Sequence, residues 1–222
     1  MMTGNPAMDR IWRQLDNRGY QGRMVSYHHI RDLEEALQAL YREGNFSEEF
    51  YEERLTAFSF APPETLPDMQ SIIIIAVPRP QTAAVFNWHG KSLSLIIPPT
   101  YTDYRKVPRQ VADLLNGILN PFGYGVAHAN LPLKLLAVRS GMGAYGRNNI
   151  CYVPGMGSFL ELVGLYSDLP CRNDQWQEES RMMDACRNCH ACLRHCPSHA
   201  ITGERFLLDA DRCIVLHGER PG

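Results

Sequence analysis

SIIIIAVPRP, residues 71–80, is the stretch on which the fold turns. Four isoleucines and a valine in a short run, closed by Pro78 and Pro80, read as a buried strand. A second apolar run, SLSLIIPP at 92–99, is expected to be its neighbour, with Asn87-Trp88-His89-Gly90 as a hairpin or loop end between them. Outward from this centre, residues 8–20, 28–42, 103–119 and 132–140 carry helical patterning. Leu33, Leu37 and Leu40 share one face and Gly44 is a plausible stop. In 103–119 the spacing of Val107, Val111, Leu114, Leu115 and Ile118 is helical, with Pro108 in the first turn, where its missing N–H costs nothing. The acidic, aromatic segment Phe46 to Phe60 reads as packing and surface. Residues 149–153 and 159–167 are strand-like, separated by the glycine-rich VPGMGS. The main body is therefore mixed α and β, and a polar stretch after Pro170 reads as a linker to a cysteine-rich end.

A chain of 222 residues and 25.2 kDa suits one main domain with a small appendage. A net charge of −2 does not mark the whole protein as a nucleic-acid binder. The start, MMTGNPAMDRIWRQL, has no apolar core behind a basic segment, so no signal peptide is read. The longest aliphatic run, Ile72 to Val77, falls far short of the ~20 residues that span a bilayer. The expectation is a soluble, cytoplasmic protein with no membrane partner. Five of its seven cysteines lie within 28 residues, which in a reducing compartment points to metal before disulfides.

CRNCHACLRHCP, residues 186–197, spaces Cys186, Cys189, Cys192 and Cys196 by three, three and four, with Pro197 after the last. This C-x₂-C-x₂-C-x₃-C-P run is the bacterial ferredoxin pattern for a 4Fe–4S cluster. Three close cysteines wrap one cubane, and the fourth opens the next turn and points toward a second cluster. Zinc is the alternative, with His190, His195, His199 and His217 as further ligands, but a third cysteine so close and the proline are not needed for it. Cys213, in LDADRC, is a fifth candidate ligand, so the thiolates suffice for one cluster and fall short of the eight needed for two. Cys151 and Cys171 read as small buried hydrophobes.

In SGMGAYGRNN, Gly141, Gly143 and Gly146 form G-x-G-x-x-G, but after a helix, whereas the dinucleotide fingerprint follows a strand; nicotinamide binding is rejected on that context. Two readings stay open. One is a tight helix-to-strand connection; the other is backbone approach to a large flat cofactor, with Arg147 and Asn148 supplying polar contacts. Arg139, Arg147 and Lys134 lie near enough in sequence to meet a phosphate of a cofactor tail or of tRNA.

LPLKLLAVRSGMGAYGRNNICYVPGMGSFLELVGLYSDLPC, CRNCHACLRHCPSHAI and LDADRC together resemble the epoxyqueuosine reductase family; SIIIIAVPRP and DYRKV do so too, and residues 1–69 match loosely. The resemblance implies an α+β fold: an α/β, nitroreductase-like cobalamin-binding domain, here residues 1–178, and a small ferredoxin-like iron–sulfur domain, here 179–222 and possible to read as truncated. AITGERFLLDADRC is expected to form the turn and strand after the cysteine run. The family passes electrons from a low-potential donor through two 4Fe–4S clusters to cobalamin, which reduces the epoxide of a modified tRNA nucleoside; reductive dehalogenases pair the same cofactors. It also carries an aspartate before the helix that leads into the glycine loop, a candidate proton donor. The matching stretch here, VAHANLPLK at 126–134, has no Asp or Glu; His128, its one titratable residue apart from Lys134, is the candidate donor, with Tyr104 and Tyr145 as weaker ones. The family's second cysteine motif does not follow Cys213.

The reading at this point is an iron–sulfur reductase that feeds a corrinoid and acts on a substrate other than epoxyqueuosine. Its catalytic candidates are His128 and Tyr104; Gly141, Gly143, Gly146, Arg147 and Asn148 would bind the cofactor, and Cys186, Cys189, Cys192, Cys196 and Cys213 the metal. The rivals are an electron-transfer module that docks a partner enzyme, a flavin in place of the corrinoid, and a zinc-stabilised binding protein.

Overall fold

β2 (Ser71–Pro78) is the centre of the molecule, and every residue from Ser71 to Val77 is buried. The computed structural model describes residues 5–102, 105–203 and 208–219. A four-stranded, wholly antiparallel sheet runs in the order β1 (Gln21–Ser26), β2, β8 (Leu160–Ser167), β5 (Val126–His128). Side chains alternate across a strand, so Ile72, Ile74 and Ala76 enter one apolar cluster, and Ile73, Ile75 and Val77 the other. On the first side lie α2 (Ile30–Arg42) and α5 (Leu133–Arg139); on the second, α1 (Pro6–Asp16) and α4 (Lys106–Leu119). With helices on both faces, an antiparallel strand takes the continuous apolar run usual for buried parallel ones. Each fully buried isoleucine contributes about 1.5–3 kcal/mol relative to exposure.

The expected pairing of 92–99 with β2 is incorrect. β4 (Lys91–Ile97) pairs instead with β3 (Thr82–Trp88) in a separate two-stranded ribbon. Both edges of β2 are already taken, by β1 and along eight residues by β8. The ribbon turns at His89 and Gly90, both left-handed (φ 46° and 75°), as a two-residue primed turn requires. The hairpin expected there is present, and its Phe86, Trp88, Leu93 and Leu95 face solvent.

The helix expected over 8–20 ends at Asp16, because Gly19 (φ 69°) turns the chain into β1, a strand not read from the sequence. Leu131 and Pro132 lead into α5, and Gly164 lets that helix press on β8: a Cβ there would lie 2.5 Å from Leu133 Cδ2. No strand follows the cysteine run among the described residues; a 3₁₀ turn, Ala210–Arg212, leads into α7 (Ile214–Glu219). No described helix is long and apolar enough to cross a membrane.

Candidate active site and cysteine loop

β5 pairs with Leu165 to Ser167, so among the described residues the same edge of β8 from Leu160 to Gly164 faces no strand. Gly164 O accepts Ala129 N–H at 3.1 Å on that side. By the alternation of antiparallel pairing, the main-chain groups of Leu160 and Leu162 point the same way. A cavity of about 1000 Å³ lies along this edge, at the upper end for small-molecule sites. Its walls come from β5 and α5 (His128, Ala129, Leu133, Lys134), from residues 149–151, from β8, from the Pro98-Pro99 turn, and from Val215 and Glu219 of α7.

The lining is apolar with few charges. Lys134 Nζ donates to Asn149 O at 3.1 Å. It stands inside a concave wall, open to the cavity's water yet surrounded by protein. That loss of solvation lowers its pKa, while the nearby Cys151 and Cys213 thiols act in the opposite direction. Burial pushes the Cys151 thiol up to about 11, so at neutral pH it is uncharged. Glu161, 7% exposed, lies 3.8 Å from Arg79 Nε, and Arg79 also donates to Thr102 O at 2.9 Å. Tyr101 donates its hydroxyl to Glu219 at 2.7 Å, a bond that raises its pKa and ties the Pro98-Pro99 turn to α7.

His128 is in the cavity wall, and exposed. Tyr104 lies outside the described residues. Gly141, Gly143, Gly146, Arg147 and Asn148, expected to contact a cofactor, are not among the residues that line the cavity. Gly141 (φ 73°) ends α5 in a Schellman motif: its N–H donates to Val138 O, and Met142 N–H to Ala137 O, both at 3.0 Å. At Gly143 a Cβ would lie 2.6 Å from Tyr152 O, and at Gly146 2.6 Å from the Tyr152 ring. The close approach these glycines permit is therefore to the chain's own hairpin of β6 (Ala144–Tyr145) and β7 (Cys151–Tyr152). Asn148 is spent on the same hairpin, donating to Tyr152 Oη and accepting from Ile150 N–H. It is the next residues, Asn149 to Cys151, that reach the cavity.

Arg147 serves the cysteine region. It is 8% exposed and donates to Cys186 O at 2.8 Å and Gly203 O at 3.2 Å, the two ends of the cysteine loop. β6 carries the same docking: Tyr145 N–H donates to Arg181 O and Met183 N–H to Tyr145 O, both at 2.8 Å. Along this loop stand Cys186 and Cys189, then α6 (Ala191–His195), which carries Cys192, and then Cys196; these four and Cys213 are free thiols.

Among the described residues no three His, Cys, Asp or Glu side chains converge closely enough to hold a metal ion. The chemistry of the donor set nonetheless fits a thiolate-held cluster. After Pro197 the chain turns through His199 (φ 53°), and the amides of Ile201, Ser198 and Ala200 meet Cys196 Sγ. The Ile201 amide is the largest influence holding that thiol below its usual pKa. Arg147 Nε is buried with no acceptor among the described residues, a donor and a positive charge beside the loop that an anionic cluster would occupy.

Two residues of the site escaped the sequence reading: Lys134 as a cavity residue, and Glu161. The second left a signal, a single carboxylate inside the otherwise apolar FLELVGLYS. A second groove of about 720 Å³, along α1 and β1, reaches Ser140 at the start of the glycine loop but no residue of the cysteine run.

No protein-family model matches the chain. It is 30% identical over 208 residues to the epoxyqueuosine reductase of Salmonella typhimurium, covering 88% of this chain and 52% of that protein. To the Staphylococcus aureus epoxyqueuosine reductase it is 26% identical over 200 residues, 86% of this chain and 50% of the relative. The chain thus spans about half the length of these relatives. Among solved structures, the epoxyqueuosine reductase of Streptococcus thermophilus matches 97% of this chain and 58% of its own, with a TM-score of 0.66 at 22% identity. Another epoxyqueuosine reductase, solved with an epoxyqueuosine-modified tRNA stem loop, matches with a TM-score of 0.66 at 21% identity and shares the fold. Taken with the cysteine run and the loop docked upon it, these likenesses make the chain a member of the epoxyqueuosine reductase-like family.

Proposed function

We propose that this chain carries the cofactor-binding part of an iron–sulfur oxidoreductase, with residues 1–178 as a nitroreductase-like body for a corrinoid and 179–222 as a ferredoxin-like region. The observation that supports this most is the position of Cys213. It immediately precedes α7, and Val215 and Glu219 of that helix form one wall of the cavity. A cluster ligand and the cavity are then neighbours, the adjacency that a single-electron relay requires. Cys186, Cys189 and Cys192 supply the local thiolates; Cys196 and Cys213 complete that set or belong to a second cluster. When bound, a 4Fe–4S cluster supplies single electrons and a corrinoid a low-valent cobalt centre that reduces an electrophile. Arg147 keeps the cysteine loop against the body, and the apolar wall of β8 and α5 limits water around the reacting groups.

The substrate class to take first is an epoxide on a tRNA nucleoside, the substrate in the relatives' name. Excluding epoxyqueuosine because 126–134 lacks a carboxylate is not supported: relatives matching most of the chain carry that name, and Glu161, His128 and Lys134 bring titratable groups to the cavity from three elements. A low-potential cytoplasmic donor would supply the electrons.

Anaerobic reconstitution followed by titration with cob(II)alamin tests this reading. The expected result is about four iron and four sulfide per cluster, with a shifted cob(II)alamin EPR spectrum. An intact cluster signal with cob(II)alamin left free overturns the corrinoid assignment and leaves an electron-transfer module that docks a partner enzyme. Flavin released on denaturation reassigns the cavity to flavin.

A further inference from the structure

The β3–β4 ribbon has no core of its own. Directly paired residues share a face, so Phe86, Trp88, Lys91, Leu93 and Leu95 stand on one side. Val85 and Ile96 stand singly on the other, among Asn87, Ser92 and Ser94. Trp88 is 67% exposed and Phe86 53%, with Leu93 and Leu95 exposed beside them. A two-stranded ribbon is marginal in water by itself, and a contiguous apolar face left in solvent marks a binding surface. The ribbon also adjoins the cavity: β4 ends at Ile97, and Pro98, Pro99 and Tyr101 follow at once in the cavity wall. Charge is concentrated on the same stretch. Between Asp68 and Asp113 the chain carries five Lys/Arg and one Asp/Glu, a net +4 in a protein of net charge −2. Arg79 is paired with Glu161, but Lys91, Lys106 and Arg109 are exposed, and the last two flank Pro108 of the cavity wall.

We propose that this ribbon face is a stacking platform for unpaired RNA bases. Phe86 and Trp88 take the bases beside the target nucleoside, and Lys91, Lys106 and Arg109 meet the phosphates. This rests on the reading of the substrate as a tRNA nucleoside. A base that enters a cavity must leave its stack, and its neighbours lose a stacking partner as it goes. Residues two apart on a strand are separated by roughly 7 Å, about twice the ~3.4 Å spacing of stacked bases. One base therefore fits between the two rings, or one outside each. Aromatic stacking accepts any base, which suits flanking positions that the cavity itself does not read. A second copy of this chain is the rival occupant, and charge speaks against it. Packing two ribbons face to face brings two net-positive segments together, whereas an RNA loop supplies the compensating phosphates.

The test measures binding of a fluorescein-labelled, unmodified RNA stem loop to the reconstituted full chain by anisotropy, with a blunt RNA duplex as control. Trp88→Ala and Phe86→Ala should each weaken stem-loop binding about 5- to 140-fold, the loss of one stacked base, and leave duplex binding as it was. Trp88→Phe, which keeps a ring, should recover most of the affinity. Lys106→Gln should lower the slope of log K against log salt by about 0.7, while Trp88→Ala leaves that slope unchanged. Unchanged affinity in both alanine variants, or an equal loss on loop and duplex, overturns the platform. A wild-type dimer in sedimentation that Trp88→Ala splits, with RNA affinity unchanged, assigns the face to a second copy and overturns it too. Cob(II)alamin binding is read by EPR on the same samples. RNA held through Trp88 with cob(II)alamin left free overturns the corrinoid reading alone; cob(II)alamin bound without RNA overturns the platform alone.

Discussion

Replacing Arg147 with methionine should release the cysteine loop while leaving the sheet intact. The guanidinium holds Cys186 O and Gly203 O, and so closes the segment that carries four of the five candidate ligands. Hydrogen bonds to a charged donor contribute about 1.5–3 kcal/mol each. Both carbonyls sit on a surface loop that water reaches once it opens, so the net loss is nearer 2–4 kcal/mol in total. At 1.4 kcal/mol per factor of ten, local opening becomes roughly 30- to 700-fold more frequent. Hydrogen exchange read by mass spectrometry checks this. Amides such as Cys196 N–H, bonded to Cys192 O, and His199 N–H, bonded to Cys196 O, should exchange faster by that factor. Peptides from β2 and β8 should not change, because their ladder is held by the sheet. Lysine at 147 should be intermediate, since one ammonium lacks the planar fork that spans both carbonyls. Equal acceleration throughout, or none at 184–203, would refute the docking role.

Glycine substitutions separate packing from conformational freedom. Gly143→Ala places a Cβ 2.6 Å from a backbone oxygen and should lower the urea midpoint by an amount equivalent to about 1–3 kcal/mol. Gly117→Ala, inside α4 with nothing within 4 Å, should raise it by about 0.5–1 kcal/mol. The reverse order would show that the β6–β7 approach is not what selects glycine. The buried Cys151 thiol predicts alkaline instability. Its pKa rises on folding from 9.0 to about 11, so the folded state retains a proton that the unfolded chain releases. That contribution is intact below about pH 9 and is lost as pH rises through 11, up to about 2–3 kcal/mol at 1.36 kcal/mol per unit. Thermal melts between pH 8 and 11 should fall less steeply in Cys151→Ala; an unchanged slope would contradict the assignment.

How far the sequence could be read depended on whether the cause was local. Helices at 30–42, 106–119 and 133–139 follow from periodic apolar residues and nearby turn residues, and each lies within its expected range. The His89-Gly90 turn was likewise visible, since it depends on two residues. β1 and β5 were not: QGRMVS and VAH are short and half-polar, and become strands only because β2 and β8 offer them edges. The misplacement of β4 has the same origin. An apolar run shows that a strand wants burial, but not which edge is vacant.

The cysteine run and the apolar centre were determined by sequence alone, because thiolate spacing and a continuous isoleucine stretch constrain chemistry within a dozen residues. The tertiary structure decided the cavity and its charges. Lys134, Glu161 and Val215 are brought together by the open edge of β8 and the seating of α7, contacts between elements far apart in the chain. The same is true of Arg147. Its place in G-x-G-x-x-G-R suggested a cofactor contact, but its reach to Cys186 and Gly203 depends on how the hairpin docks against the loop, which no local pattern encodes.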